Sequence, residues 1–181
     1  MLVMARRSAG FTLIEVMIAL AIAATLLLLA APNFATWNAD AQIRAAAESI
    51  VSGMRYAQAE AIRRNEPIEF VLNPTTGSGG WTVQQLVGPP LQVGVFAEGA
   101  TLAAFATAPA AATITTFNSL GGVNANNADT TVPITRVEVT HSGAISNARN
   151  LHILVGGGRT GIKVCDPAVS DTTSPRFCTA L

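Results

Sequence analysis

The sequence has few charged residues and no excess of either sign. Lys and Arg together number 11, as do Asp and Glu, so the formal net charge is +0 and only 12% of the 181 residues are charged. This balance excludes a globally basic nucleic-acid-binding protein, although a local basic patch would not show in the sum. At this length the chain has room for one soluble domain beyond its N-terminal hydrophobic segment.

Groups suited to catalysis or cofactor binding are also scarce. His141 and His152 are the only histidines, and neither lies in a recognisable serine or cysteine nucleophile motif. Residues 156–161 match the glycine pattern G-x-G-x-x-G, but residues 162–165 after them look extended, whereas a dinucleotide site requires a helix there. We therefore predict neither enzymatic activity nor a cofactor, and interpret the glycines as a turn between strands.

The most prominent feature that is present is an apolar run over residues 11–31, FTLIEVMIALAIAATLLLLAA, which contains one charged residue, Glu15. About 20 apolar residues are enough for a helix to span a bilayer. Arg6 and Arg7 precede the run without any acid, which predicts a cytoplasmic N-terminus and a periplasmic remainder. Cleavage by an ordinary signal peptidase after residues 29–31 is the alternative.

The residues around Glu15 form a specific motif. Gly10-Phe11-Thr12-Leu13-Ile14-Glu15 resembles the N-terminus of type IV pilins and type II secretion pseudopilins. The resemblance implies that prepilin peptidase cuts between Gly10 and Phe11 and that the new amine of Phe11 is N-methylated. It also implies that Glu15 meets the N-terminal amine of a neighbouring subunit during assembly. The alternative is a glutamate that snorkels to the headgroups and favours the positive helix N-terminus.

A second helical segment follows the apolar run. Pro32 predicts a kink with helix continuing beyond it, Glu60 stands four residues before Arg64 as a helical ion pair, and Asn65 and Pro67 close the helix. The helical period predicts one buried stripe, which consists of Ile43, Ala47, Ile50, Met54, Ala57 and Ala61.

Beyond the helix the pattern changes to short extended runs bounded by Gly, Pro and Asn. Residues 87–112 are rich in alanine and glycine and predict no strand, and residues 121–131 predict an exposed polar loop. The predicted strands are residues 67–74, 81–87, 112–117, 134–143 and 151–157, with a further extended run at 162–165.

This arrangement resembles the pilin fold, and within it the GspH/FimT group of minor pseudopilins. The second resemblance rests on Trp81, on residues 117–121 and on Gly158-Arg159 before a last strand, although the second arginine frequent in that group is missing. It implies an α+β fold in which a long kinked N-terminal helix, transmembrane in its first half, packs on an antiparallel β-rich C-terminal head. The expected segments are a cleaved leader (1–10), a transmembrane assembly helix (11–31), an amphipathic helix (32–66) and a periplasmic head (67–181).

The two cysteines, Cys165 and Cys178, both lie in the predicted periplasmic part. An even pair in an oxidising compartment predicts a disulfide. Neither histidine stands at zinc-ligand spacing from them, so we predict no metal site.

The function implied by the resemblance is that of a structural subunit of a type II secretion pseudopilus or a type IV pilus. Its expected partners are other pilins or pseudopilins, prepilin peptidase, the inner-membrane assembly platform and the membrane itself. The alternative is a minor pilin that binds DNA during uptake. The candidate residues for that role form a basic C-terminal set, namely Arg149, Arg159, Lys163 and Arg176.

Overall fold

The computed structural model describes residues 10–75, 79–96, 102–143, 145, 148–156 and 161–178, without the side chains of residues 29–33. The chain divides into two compact units, one ending at Ala35 and the other beginning at Thr36. The elements are one helix, α1 (Leu13–Arg64), and the strands β1 (Ile68–Asn73), β2 (Gly80–Gln85), β3 (Pro90–Val95), β4 (Ala103–Ala108), β5 (Ile114–Phe117), β6 (Arg136–His141), β7 (Leu151–Val155) and β8 (Ile162–Cys165).

The first unit contains the start of α1, and its hydrogen bonds explain where the helix begins. The Thr12 hydroxyl accepts a hydrogen bond from the Glu15 backbone N–H at 3.3 Å, and the Thr12 carbonyl accepts one from Val16 N–H at 3.2 Å. Thr12 is therefore the N-cap residue. The helix continues beyond Pro32, as predicted. Within the described residues, no helix combines the length and apolar character that a membrane span requires.

In the second unit, the later part of α1 shares one hydrophobic core with two four-stranded antiparallel sheets. The strand order is β3-β2-β1-β5 in one sheet and β4-β6-β7-β8 in the other. The predicted buried stripe of the helix is confirmed, since all six of its residues are at most 1% exposed. The α+β pilin-like arrangement predicted from the sequence is therefore correct.

The indole of Trp81, on β2, fills a narrow slot between the helix and the neighbouring strand. A Cβ atom placed on Gly53 of α1 would lie 2.6 Å from Trp81 Cδ2, and one placed on Gly94 of β3 would also clash with the ring. The indole N–H donates a hydrogen bond to the Ser49 hydroxyl of α1 at 3.0 Å. Only glycine at positions 53 and 94 leaves room for this ring.

The end of α1 follows the prediction. Asn65 adopts the left-handed conformation with a φ of 54°. Its N–H donates to Ile62 O, and the Glu66 N–H donates to Ala61 O, both at 3.3 Å. These two bonds form a Schellman motif, in which asparagine is one of the residues that tolerate the left-handed position.

One prediction about the head is wrong, and another, the exposed polar loop, is correct for most of its residues but not for Asn127. The alanine- and glycine-rich residues 87–112 contain two strands, β3 and β4, where no strand was predicted. Phe105 of β4 stacks on Phe96 with ring centroids 4.6 Å apart, so packing overrides the weak strand propensity of alanine. In the predicted exposed loop, residues 121–131, Asn127 is only 4% exposed because its amide bonds to the edge of β5.

Candidate functional site

The N-terminal end of α1 presents an apolar surface with one acid in it. Glu15 lies in the first turn, its backbone N–H is satisfied by Thr12, and no described residue pairs with its exposed carboxylate. Phe11 is 82% exposed. Exposed large apolar side chains continue along the helix at Leu13, Ile14, Val16, Met17, Ile18, Leu20, Ile22, Leu26, Leu27 and Leu28. A surface of this extent marks a site of interaction with a partner or with lipid.

The predicted helical ion pair is present and extended by a second arginine. The Glu60 carboxylate accepts hydrogen bonds from Arg63 at 2.6 Å and from Arg64 at 2.7 Å. The hydrogen bonds from Arg63 and then Arg64 favour the ionised carboxylate and lower the pKa of Glu60 to about 2. This cluster fixes the last turn of α1.

The head contains a charged cleft of about 380 Å³ between α1 and the C-terminal tail. Arg149 is held at both ends, because its backbone N–H donates to Asp40 Oδ1 at 2.8 Å and its guanidinium pairs with the buried Asp166 carboxylate. No described residue pairs with the guanidinium of Arg44 or Arg176. The cleft is lined by Asp40, Arg44, Arg149, Leu151, Val164, Cys165, Asp166 and Arg176.

The structure brings together two of the four predicted DNA-binding residues. Arg149 and Arg176 both line the cleft, whereas the Lys163 ammonium donates to the carbonyl of Phe177 at 2.9 Å. Arg159 lies outside the described residues. Sequence reasoning missed Arg44, which comes from the helix more than 100 positions earlier, and nothing in its local pattern distinguishes it from a solvated surface charge.

The cysteines form the predicted disulfide, with their Sγ atoms 2.09 Å apart. His152 lies beside it, and its Nδ1 atom is 4.0 Å from Cys178 Sγ. The argument from sequence spacing that no histidine accompanies the cysteines is therefore wrong, because pairing of β7 with β8 places His152 directly opposite Cys165. His141, at the end of β6, instead accepts a hydrogen bond from Gly143 N–H at 3.0 Å.

A long N-terminal helix that begins with this motif and shares a core with antiparallel sheets defines a pilin-like protein. A profile described as a prokaryotic N-terminal methylation motif matches residues 5–31, and one described as type II transport protein GspH matches residues 46–158. The chain belongs to the GspH family. Proteins of this family are structural subunits, typically anchored in a membrane by the N-terminal helix, and are not enzymes.

The comparison with solved structures supports the same fold. The crystal structure of the type IV minor pilin FimU from Pseudomonas aeruginosa superimposes with a TM-score of 0.50 and 19% sequence identity. The match covers 70% of this chain and 92% of that one. No curated protein sequence matches the chain.

Proposed function

We propose that this member of the GspH family is assembled through residues 11–31 into a type II secretion pseudopilus or a type IV pilus. The observation that carries the proposal is the first turn of α1, where the Glu15 carboxylate, which no described residue pairs with, stands within an exposed apolar surface shortly after Gly10 and Phe11. In an isolated subunit this apolar surface would be exposed to water, which is unfavourable, whereas a filament core or a bilayer would cover it.

Processing is the first step of the proposed function. Gly10 and Phe11 are exposed and precede the first helical residue, and apart from its chain neighbours no described residue has an atom within 4 Å of a Cβ placed on Gly10. A peptidase therefore has access to the bond between them. Cleavage there removes residues 1–10 and creates a cationic amine at Phe11, which the enzyme then methylates.

The role of Glu15 follows from that new amine. Its carboxylate has no partner among the described side chains, while the Thr12 cap already satisfies its backbone N–H. Opposite charges attract strongly in a low-dielectric environment, and an unpaired charge buried there is costly. A neighbouring subunit that brings its Phe11 amine to Glu15 removes this cost and sets the axial register between the two helices.

The test is to replace Glu15 and follow incorporation into filaments. Glu15→Gln keeps the shape of the side chain and removes the charge, so we expect normal cleavage at Phe11 but strongly reduced incorporation. Glu48→Gln, an exposed change on the same helix, is the matched control and should assemble normally. Mass spectrometry of the mature N-terminus should show N-methylphenylalanine. Normal assembly of Glu15→Gln, or any other N-terminus, would contradict the proposal.

The proposed location is the inner membrane, crossed once by residues 11–31, with Arg6 and Arg7 in the cytoplasm and the head in the periplasm. The partners are prepilin peptidase, the assembly platform and other pilins or pseudopilins.

Protease added to spheroplasts should digest the head and leave the membrane segment protected. Crosslinking from the exposed helix to secretion pseudopilins or to pilus-tip pilins would identify the machine.

DNA binding is the second candidate function, and the charged cleft favours it. Arg44 and Arg176, which have no ion-pair partner among the described residues, line the cleft beside Arg149 and can contact phosphates there, although Asp40 and Asp166 reduce the net positive charge. In a gel-shift titration of the full chain in detergent, the double change Arg44→Ala and Arg176→Ala should weaken binding and its salt dependence. Arg55→Ala is the control. Equal affinity of the double variant and the control would refute this function.

A further inference from the structure

Three chemically reactive side chains lie in one row across the second sheet. His152 of β7 is directly opposite Glu138 of β6 on one side and Cys165 of β8 on the other. Directly opposite residues of antiparallel strands point to the same face, with Cβ atoms about 4.5–5.5 Å apart. The backbone pairing itself therefore places a carboxylate, an imidazole and a sulfur side by side.

The two ring nitrogens of His152 face different partners. Nδ1 faces Cys178 Sγ at 4.0 Å, and Nε2 faces Glu138 Oε1 at 3.8 Å. The coordinating atoms of His152, Cys165 and Cys178 all lie within 4.8 Å of one another. Histidines that bind metal typically use one nitrogen for the ion and direct the other to a carboxylate, which fixes the ring. The arrangement here has that pattern.

Contacts other than the disulfide hold Cys178 in place. The Asp166 N–H donates to Arg176 O at 2.8 Å, and the Lys163 ammonium donates to Phe177 O at 2.9 Å. These bonds connect Lys163 of β8 and Asp166, which follows β8, to Arg176 and Phe177, which directly precede Cys178. Breaking the sulfur–sulfur bond therefore leaves both thiols beside His152.

We propose that the reduced chain binds one Zn²⁺ ion through His152 Nδ1 and the thiolates of Cys165 and Cys178. Glu138 orients the imidazole from its other nitrogen, and a water completes the four ligands of zinc. With Zn–S bonds of about 2.3 Å, tetrahedral geometry needs Sγ atoms about 3.8 Å apart. The Cα atoms of the two cysteines are 5.1 Å apart, so after reduction a rotation about each Cα–Cβ bond gives this separation without movement of the backbone.

The disulfide and the metal are alternative states of the same site. A phosphine reductant supplies two electrons that break the disulfide. The phosphine takes the oxygen atom of one water molecule and becomes a phosphine oxide, and the two protons of that water give the two thiols. Zinc binding then releases both thiol protons, because the ligand is the thiolate. Exchange with a small-molecule disulfide re-forms the bond between Cys165 and Cys178, the two electrons leave on two small thiolates, and both sulfur ligands are withdrawn, so the ion is released.

The test measures Zn²⁺ bound to the untagged full chain in detergent, oxidised or reduced with a phosphine. Competition with a chromogenic chelator should show one Zn²⁺ per reduced chain and none per oxidised chain. Co²⁺ in place of Zn²⁺ should give a thiolate-to-metal charge-transfer band, which reports sulfur coordination directly.

Variants identify the nitrogen ligand and the residue that positions it. His152→Ala should weaken zinc binding by at least tenfold, and Glu138→Gln by about 10–100-fold. His141→Ala is the matched control and should bind as the unchanged chain does. A reduced wild-type chain without zinc, a cobalt complex without the thiolate band, or wild-type affinity in His152→Ala would each overturn the proposal. The first two outcomes are measured on the unchanged chain and do not depend on the folding of any variant.

Discussion

Replacement of Asn127 by alanine should destabilise the head far more than its position in a polar loop indicates. The side-chain amide makes four hydrogen bonds. Its oxygen accepts from Thr116 N–H at 2.9 Å and from the Thr116 hydroxyl at 3.1 Å, and its nitrogen donates to Ile114 O at 3.1 Å and to the Thr131 hydroxyl at 3.0 Å. These bonds attach the loop to β5.

The size of the effect follows from which groups lose their partner. Ile114 O still accepts from Ile134 N–H at 3.1 Å, and the Thr131 hydroxyl still donates to Asp129 at 2.6 Å. The Thr116 N–H, which is buried, has no other acceptor among the described residues. An unsatisfied buried donor costs about 1–3 kcal/mol, and each lost hydrogen bond contributes about 1 kcal/mol. We expect the free energy of unfolding to fall by about 3 kcal/mol.

The assay is urea unfolding of the full chain in detergent, followed by tryptophan fluorescence. The matched control is Asn126→Ala, one residue earlier and exposed, which should change the free energy of unfolding by less than about 0.5 kcal/mol. A loss below about 1 kcal/mol in Asn127→Ala, or a loss equal to that of the control, would refute the reasoning.

Three further changes test other contacts of the head. The pKa of Glu60 is lowered to about 2, so its ion pairs stabilise the fold above pH 4.5 and lose that effect as the pH falls towards 2. Glu60→Gln should therefore flatten the pH dependence of unfolding in that range, and an unchanged profile would contradict this. Gly53→Ala forces a methyl group against Trp81 and should cost about 1–3 kcal/mol in urea unfolding, whereas the exposed Ser52→Ala should cost almost nothing. Cys178→Ser opens a crosslink of sequence separation 13 and should lower the free energy of unfolding by about 3 kcal/mol, and a loss below about 1 kcal/mol would contradict this.

The features that the sequence predicts well depend on local information. The buried stripe of α1 follows from the spacing of its apolar residues, and the end of the helix follows from Asn65. The N-terminal motif is contiguous, so its match to the methylation motif needs no knowledge of the fold. The chain has two cysteines, so only one intramolecular disulfide can form, and the predicted oxidising compartment favours it.

The features that the sequence does not predict depend on long-range contacts. The strand β4 consists largely of alanine, and it is extended because it pairs with β6 and because Phe105 meets Phe96. The approach of His152 to Cys165 is set by the register of β7 against β8, which no local pattern shows. The same holds for the charged cleft, which Arg44 from the helix and Arg176 from the tail both line.

The slot that holds Trp81 has a mechanical consequence. A helix with a smooth apolar face can slide along a sheet at little cost, but the indole projects into α1 at Gly53 and is backed by Gly94. A shift along the helix axis would move Gly53 away from the indole and bring its neighbours on the same face, Ile50 and Ala57, towards the ring. A pull along the helix is therefore opposed by the contact between Trp81 and Gly53, in addition to the covalent connection from the end of α1 to β1.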